Sequence, residues 1–440
     1  MSPLALTLLI FAIMLVLMAV RVPISISMFV AGCVGYVLQA GWAPLSNFLN
    51  TQAFARFASY DLSVIPLFIL MGNFATQGGI SKALFEVASS IMSRFKGGLA
   101  MAAVMACAAF GAICGSSVAT AATVAQVALP EMRKYNYSGR LSTATLAAGG
   151  TLGILIPPSV VLVVYAILTE QNIAKLFAAA MIPGIIAALG YLAAIWAIVR
   201  IHPDQGPAQP RHPWSERLAS LRGVWPVAAI FTVVFGGIYG GIFTPTEGAA
   251  VGAVATFVAG LATRELDLAG MKRAFLATAE TSGMIFMIFV GADMLNSALA
   301  LSQLPAALAL TVTALGLPPL LVIVGILLFY IVLGCVMDEL SMILLTIPVL
   351  FPAVMGLDLF GLNPTEKAIW FGILVLMVVE IGLIAPPVGL NVYVVNGMAR
   401  DVPMAETYRG VVPFLVSDAV RVTLLLLFPI ISLWLVRVIS

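Results

Sequence analysis

Two stretches of this chain place oxygen-bearing residues where glycine and proline would interrupt a helix. In the first, Gly115-Ser116-Ser117 and Thr120 are followed by Gly149-Gly150-Thr151, Gly153 and Pro157-Pro158. In the second, Gly334, Asp338 and Glu339 are followed by Gly382, Pro386-Pro387 and Asn391. Hydroxyls, carboxylates and carbonyls freed at a helix break are hard ligands suited to a cation such as Na⁺. The N–H groups freed on the other side of a break suit an anion. The pattern assigns one Na⁺ site to Ser116 and Ser117 with backbone at Gly149, Gly153 and Pro157. A second goes to Asp338 with backbone at Gly334, Gly382 and Pro386. Thr120, Thr151, Pro158, Pro387 and Asn391, at the same breaks, are the candidates for substrate contact. The alternative is a packed interface of small residues with a proline kink, in which Asp338 serves as a helix N-cap.

The two stretches are copies. The same 219 residues separate Gly72 from Gly291 and Gly115 from Gly334, and 229 separate Gly153 from Gly382 and Pro158 from Pro387. The second copy therefore holds a ten-residue insertion, which fits the Gly356–Glu366 loop. A duplicated apolar half, broken at corresponding points, is the sequence signature of a secondary transporter.

Hydrophobic residues make up 62% of the chain and charged residues 9%. A soluble domain carries about 25% charged residues. Apolar runs near the ~20 residues that cross a bilayer recur throughout, without the alternation of a barrel strand. The expected fold is an all-α polytopic bundle with an inverted repeat, two re-entrant hairpins and two broken helices, of the elevator type. Cys33, Cys107, Cys114 and Cys335 lie in apolar runs and read as small hydrophobes. Residues 4–20 read as a retained span, because no basic region precedes them.

The first repeat occupies 1–200. It holds spans at 4–20, 24–42 and 61–77, an interfacial helix over 43–60 and an amphipathic stretch from Ile80 to Lys96. A hairpin over 98–132, a broken helix over 141–168 and a span at 176–199 complete it. Its broken helix is expected to part at Gly149-Gly150-Thr151 and at Pro157-Pro158. A proline-bearing linker over 201–222 contains both histidines, His202 and His212. The second repeat, 223–440, holds spans at 223–242 and 246–263, an amphipathic stretch over 264–275 and a span at 277–298. A hairpin over 318–355, a broken helix over 368–398 and one final span at 411–436 follow. Asp293, Asn296 and Glu380 fall inside apolar segments, and Glu247 is placed to cap a helix. An ionisable residue at membrane depth is a functional candidate by default.

With each hairpin returning to its own side, each half crosses five times, and the second half is inverted. Sixteen of the 21 basic residues then fall on one face, which the positive-inside rule makes cytoplasmic.

Four segments resemble one family. They are Gly111–Thr120, Leu155-Ile156-Pro157-Pro158-Ser159, Gly241–Gly248 and Leu383–Gly389. They are similar to motifs of the large membrane subunit of tripartite ATP-independent periplasmic (TRAP) transporters, over essentially the whole chain. The resemblance implies a Na⁺-driven elevator that imports organic acids across a bacterial inner membrane, closest to the C4-dicarboxylate type. It also implies a periplasmic substrate-binding protein and a small four-span membrane subunit, the latter not fused to this chain. Sialic-acid members share the motifs, so another carboxylate is an alternative, as is a self-sufficient Na⁺/dicarboxylate symporter.

Other classes fare worse. A channel needs a continuous pore rather than matched hairpins. Both histidines lie in the linker and no HExxH motif occurs, so a histidine-based intramembrane protease has no active site. No Walker A pattern occurs, which excludes a self-contained ATP-driven pump. The chain reads as a transporter subunit, not an enzyme, and needs no organic cofactor. The charge bias predicts that a cysteine at Gln209 is labelled from the cytoplasm and one at Ser440 from the opposite side. Labelling of both from one side would overturn the five-plus-five arrangement.

Overall fold

The computed structural model describes residues 3–209, 213, 220–221, 223–303, 307 and 316–439. Among these the chain is helical throughout. The first half comprises α1 (Pro3–Ala19), α2 (Ile24–Ala40), α3 (Trp42–Phe57), α4 (Val64–Gln77), α5 (Ile80–Met92), α6 (Gly98–Cys114), α7 (Ser117–Lys134), α8 (Gly139–Leu155), α9 (Val160–Thr169) and α10 (Ile173–Ile201). The second comprises α11 (Trp225–Tyr239), α12 (Pro245–Ala262), α13 (Leu268–Leu301), α14 (Pro319–Gly334), α15 (Glu339–Met355), α16 (Pro364–Ile384), α17 (Leu390–Met398), α18 (Met404–Leu427) and α19 (Ile430–Ile439). Most of the linker, with Arg211, His212, Arg217 and Arg222, lies outside the described residues, as does most of the 304–315 loop.

Several elements begin where local chemistry dictates. Ser116, Ser138, Ser159, Asn172, Asp267, Asp338 and Asn363 each cap the helix that follows, accepting from a backbone N–H three residues on. Thr244 and Glu247 form a reciprocal capping box at the start of α12, with Pro245 at the first helical position. Glu247 therefore serves the helix end.

The hairpins α6–α7 and α14–α15 enter from opposite ends of the bundle. At the base of the first, Gly97 donates to Gly206 and Leu99 donates to the Tyr137 hydroxyl. Burial pushes the Tyr137 phenol up to about 12 and keeps it neutral. Arg133 pairs with Asp401, and Arg140 reaches the Arg409 carbonyl at the same end. At the base of the second hairpin, Lys367 donates to the Met355 carbonyl and to that of Leu357, while Arg437 pairs with Glu366 at 2.7 Å. The broken helix α16–α17 runs from this end to the first. Basic residues of both halves thus gather at one end, and Lys367 and Arg437 stand at the other.

The broken helices form the centre. Nearly all of α8 is buried, and 94% of the apolar window of α16 is buried inside the protein. Trp370 on α16 is fully buried and donates its indole N–H to the Leu425 carbonyl at 2.9 Å. Outside this core, α2 packs along α13 and α4 along α12, a matched pair of contacts. Gly32 lets α2 meet α13 backbone to backbone, since a Cβ there would lie 2.6 Å from the Leu295 nitrogen. Large apolar side chains on α1, α10, α12 and α18 remain exposed, as on a lipid-facing surface. Among the described residues five helices have the length and apolar character of single spans, and the α8–α9 break bends that helix by 42°.

Three expectations are corrected. Residues 264–298 are not an amphipathic stretch plus a separate span: α13 runs unbroken from its Asp267 cap, because polar residues alone do not interrupt helical hydrogen bonding. The final span is two helices, divided at Phe428-Pro429, where proline supplies no N–H to continue α18. Gly149-Gly150-Thr151 is not a break, because these residues retain their N–H groups and lie within α8.

Trp370 anchors the most buried helix. Trp370→Ala should lower stability by about 3–5 kcal/mol, read as a shifted thermal midpoint of the purified protein. Trp370→Phe should lose less, keeping the ring volume but not the hydrogen bond.

Candidate functional site

The interruptions that matter are 156–159 and 385–389. In a continuous helix the carbonyls of Gly153 and Ile154 would accept from the N–H groups of residues 157 and 158. Both are proline and have none. Pro386-Pro387 removes the same partners from Gly382 and Leu383. Ala385 N–H reaches Gly382 at 3.3 Å and answers part of the loss. Both X-Pro bonds are cis.

Each break is packed against the tip of its own hairpin. A Cβ on Gly153 would lie 2.6 Å from the Ser116 carbonyl oxygen, so glycine is what admits α8 to the turn of α6–α7. Gly115 adopts φ 65°, and a Cβ there would lie 2.9 Å from the Pro158 carbonyl oxygen. In the second half Gly382 meets Gly334 backbone to backbone, a Cβ on Gly382 falling 2.6 Å from the Gly334 Cα. The Ser116 carbonyl and the Thr120 hydroxyl crowd Gly153, and the Pro158 carbonyl lies against Gly115. In the second half the Gly334 carbonyl lies against Gly382, and those of Leu383 and Ala385 against Gly389. Ser117 Oγ is buried without a hydrogen-bond partner among the described residues, and Thr120 Oγ1 lies against the Cys114 thiol.

The predicted residues divide in the following way. Ser116, Ser117, Thr120, Gly153, Pro157 and Pro158 come together at the first break; Gly334, Gly382, Pro386 and Pro387 come together at the second. Gly149 sits back from the break, where a Cβ would lie 3.0 Å from Cys107 Sγ. Thr151 faces α10, its hydroxyl 3.0 Å from the Tyr191 hydroxyl. Asp338 caps α15, accepting from Ser341 N–H at 3.0 Å. Asn391 is fully buried, donates to the Ala147 carbonyl at 3.3 Å and leaves its Oδ1 unpartnered, so α17 of one half touches α8 of the other.

Between the hairpin tips lies a cavity of about 110 Å³. Gly115 and Ser116 line it from the first tip, Glu339 and Leu340 from the second, Val160 from α9, Asn73 from α4 and Thr281 from α13. The N-termini of α7, α9 and α15 all open on it. The first-turn N–H groups left free by the Ser116 and Ser159 caps favour negative charge, each end by about 0.3–1 kcal/mol, while the Asp338 carboxylate already meets part of the α15 end. No Lys or Arg is among the described residues that line it. Its volume is well below the roughly 300–1,000 Å³ of open ligand pockets, so the tips stand close together. Sequence reasoning ranked Glu339 below Asp338. The structure shows the alternative reading of Asp338, a helix cap, which turns its side chain back to the backbone and leaves the next residue to face the space. Tyr408 was also missed: its hydroxyl donates to the Pro387 and Val388 carbonyls at 3.0 and 2.6 Å.

The profile of the family described as tripartite ATP-independent periplasmic transporter, DctM component, matches residues 11–431. The chain belongs to this TRAP transporter family. It is a multi-pass membrane component of a transporter rather than an enzyme. Among curated relatives, the C4-dicarboxylate TRAP transporter large permease protein DctM of Pseudomonas aeruginosa is 36% identical over 386 residues, 88% of each chain. Its namesake in Vibrio cholerae is 32% identical, covering 97% of this chain and 96% of that one. The crystal structure of the Alcanivorax borkumensis YdaH transporter shares the fold, with a TM-score of 0.61 at 13% identity over 96% of this chain and 98% of that one.

The glycines at the breaks carry a direct consequence. Gly153→Ala should abolish transport by the assembled TRAP system while the protein still reaches the membrane, because the added methyl strikes backbone and Thr120 rather than a movable chain end. Alanine at Gly236, which meets no atom within 4 Å, is the control and should retain uptake.

Proposed function

We propose that this chain is the large permease of a Na⁺-coupled importer of organic acids, C4-dicarboxylates before others, in a bacterial inner membrane. Substrate arrives on a periplasmic binding protein, a small four-span subunit braces the permease, and the α6–α10 and α14–α18 unit moves as an elevator against α2, α4, α12 and α13. The observation that carries the reading is the cavity where three helix N-termini converge and no basic side chain lines the wall. Those N-termini favour an anion, yet Glu339 stands among them. An organic anion in low dielectric needs further positive charge. The freed carbonyls and the hydroxyls directly behind the cavity supply places for cations to provide it.

The names of matched relatives support the substrate class at two levels. The more similar ones are C4-dicarboxylate permeases; others are named for isethionate, ectoine and sialic acid. We therefore rank dicarboxylates first and keep sialic acid as the second reading. Uptake of malate, succinate, fumarate and sialic acid by the reconstituted three-part system separates them. Full-rate uptake by this polypeptide alone would favour a self-sufficient symporter.

Ser117→Ala and Thr120→Ala each remove one hydroxyl from the first oxygen cluster. Each should raise the Na⁺ concentration for half-maximal uptake by roughly three- to tenfold, with expression unchanged. Unaltered Na⁺ dependence in both would place the first cation elsewhere.

A further inference from the structure

A buried polar chain stands behind the two breaks, and no step above uses it. Arg421 on α18 is 2% exposed and pairs with Asp418, 1% exposed, at 2.9 Å. Tyr191 on α10 donates its hydroxyl to the other oxygen of Asp418 at 3.0 Å. The Thr151 hydroxyl on α8 lies 3.0 Å from that of Tyr191. Glu380 on α16 is fully buried, within electrostatic reach of Arg421 and Asp418, and stands beside Thr151. Neither of its carboxyl oxygens has a hydrogen-bond partner of normal geometry among the described residues. Arg421 also borders a groove between α10 and α18, but its nitrogens are buried, and Nη2 lies 2.9 Å from Asp418.

The repeat gives this cluster its meaning. Thr151 stands two residues before Gly153, and Glu380 two before Gly382. Tyr191 stands eight residues after Pro183 in α10, and Arg421 eight after Pro413 in α18. Thr151 and Glu380 are therefore the same position in the two halves, and so are Tyr191 and Arg421. In the first half the Thr151–Tyr191 contact ties the last turn of α8 to α10. In the second, Arg421 on α18 lies within electrostatic reach of Glu380 in the last turns of α16 without a direct ion pair, and Asp418 bonds to both Tyr191 and Arg421. A buried ion pair is weak evidence for stability, because desolvation offsets the attraction; its attested use is to fix one geometry among alternatives. A group that only packed these helices together would be better served by apolar side chains.

We infer that Tyr191, Asp418 and Arg421 are positioning residues that hold the last turns of α8 and α16 in register, and so set the carbonyl geometry of both breaks together. Their function in transport rests on the Na⁺-coupled reading; their effect on the breaks does not. The cluster joins the halves through the Tyr191–Asp418 bond, so loosening one half's pair reaches the other half's break.

The test uses the full chain, purified for backbone hydrogen exchange and assembled with both partners in liposomes for uptake. Tyr191→Phe keeps the ring and removes the link. It should speed exchange at 152–160 by roughly three- to tenfold and raise the half-saturating Na⁺ concentration by a similar factor, with exchange elsewhere in the bundle little changed. Arg421→Gln should disturb 381–390 as well, and Arg421→Lys should restore part of the Na⁺ response. Should Arg421→Gln fail to fold, Tyr191→Phe and Arg421→Lys decide. Unchanged exchange and Na⁺ dependence in both would overturn the inference. If the wild-type system takes up substrate without Na⁺, the Na⁺ reading fails by itself. The exchange rates at the breaks then support or overturn the positioning role.

Discussion

A carbonyl oxygen deprived of its partner inside a membrane protein has no water to turn to. Each such group costs several kcal/mol until something answers it. Pro157-Pro158 and Pro386-Pro387 create this situation at the ends of α8 and α16, and much of the surrounding structure can be understood as the response. A hairpin tip is pressed against each break, admitted by Gly153 in one half and by Gly382 in the other. The tips cannot come from the same end, because the halves are inverted, so α6–α7 and α14–α15 approach from opposite sides and meet at a shared cavity. Opposite polarity then follows without further devices. The carbonyl ends of the broken helices lie behind the cavity, and the N-termini of the returning arms point into it.

This arrangement separates two jobs that one broken helix could not perform alone. Electronegative ends and hydroxyls form one layer, and electropositive ends form the next. Charge of either sign can be stabilised within a short distance, with few fully charged side chains buried. The outer helices contribute little of this chemistry beyond Asn73 and Thr281 on the cavity wall. Their role is to present backbone-close contacts such as α2 on α13 and an apolar exterior to lipid.

Much of the plan was legible in the sequence because it rests on residues whose backbone behaviour is nearly obligatory. Proline removes a donor wherever it stands, so Pro157-Pro158 and Pro386-Pro387 located the breaks, and the repeat spacing matched them across the halves. Ser116 and Gly115 located a hairpin turn for the same kind of reason. Glycine pairs were less reliable guides. Gly149-Gly150 looked like an interruption but serves packing, since a glycine that keeps its N–H can remain in the helix and admit Cys107 and Ala121. Side-chain direction was only partly legible: nothing in the sequence says that Thr151 turns toward Tyr191, and the capping role of Asp338, which leaves Glu339 at the cavity, was legible only as the alternative to a cation ligand. The 264–275 stretch misled because polarity reports solvent contact, not helix termination. The split at Pro429 was missed although it obeys the proline rule, because one apolar run was read as one element.

The Tyr408 hydroxyl introduces a difference between two breaks that are otherwise alike. It already donates to the Pro387 and Val388 carbonyls, so part of the second break is answered by a phenol that is permanently at hand. At the first break the Ser117 hydroxyl has no partner among the described residues. Two breaks of one design therefore differ. The second has a phenol drawn onto its loop carbonyls, while the first leaves the Ser117 hydroxyl unanswered among the described residues, and a molecule built from near-copies is chemically lopsided.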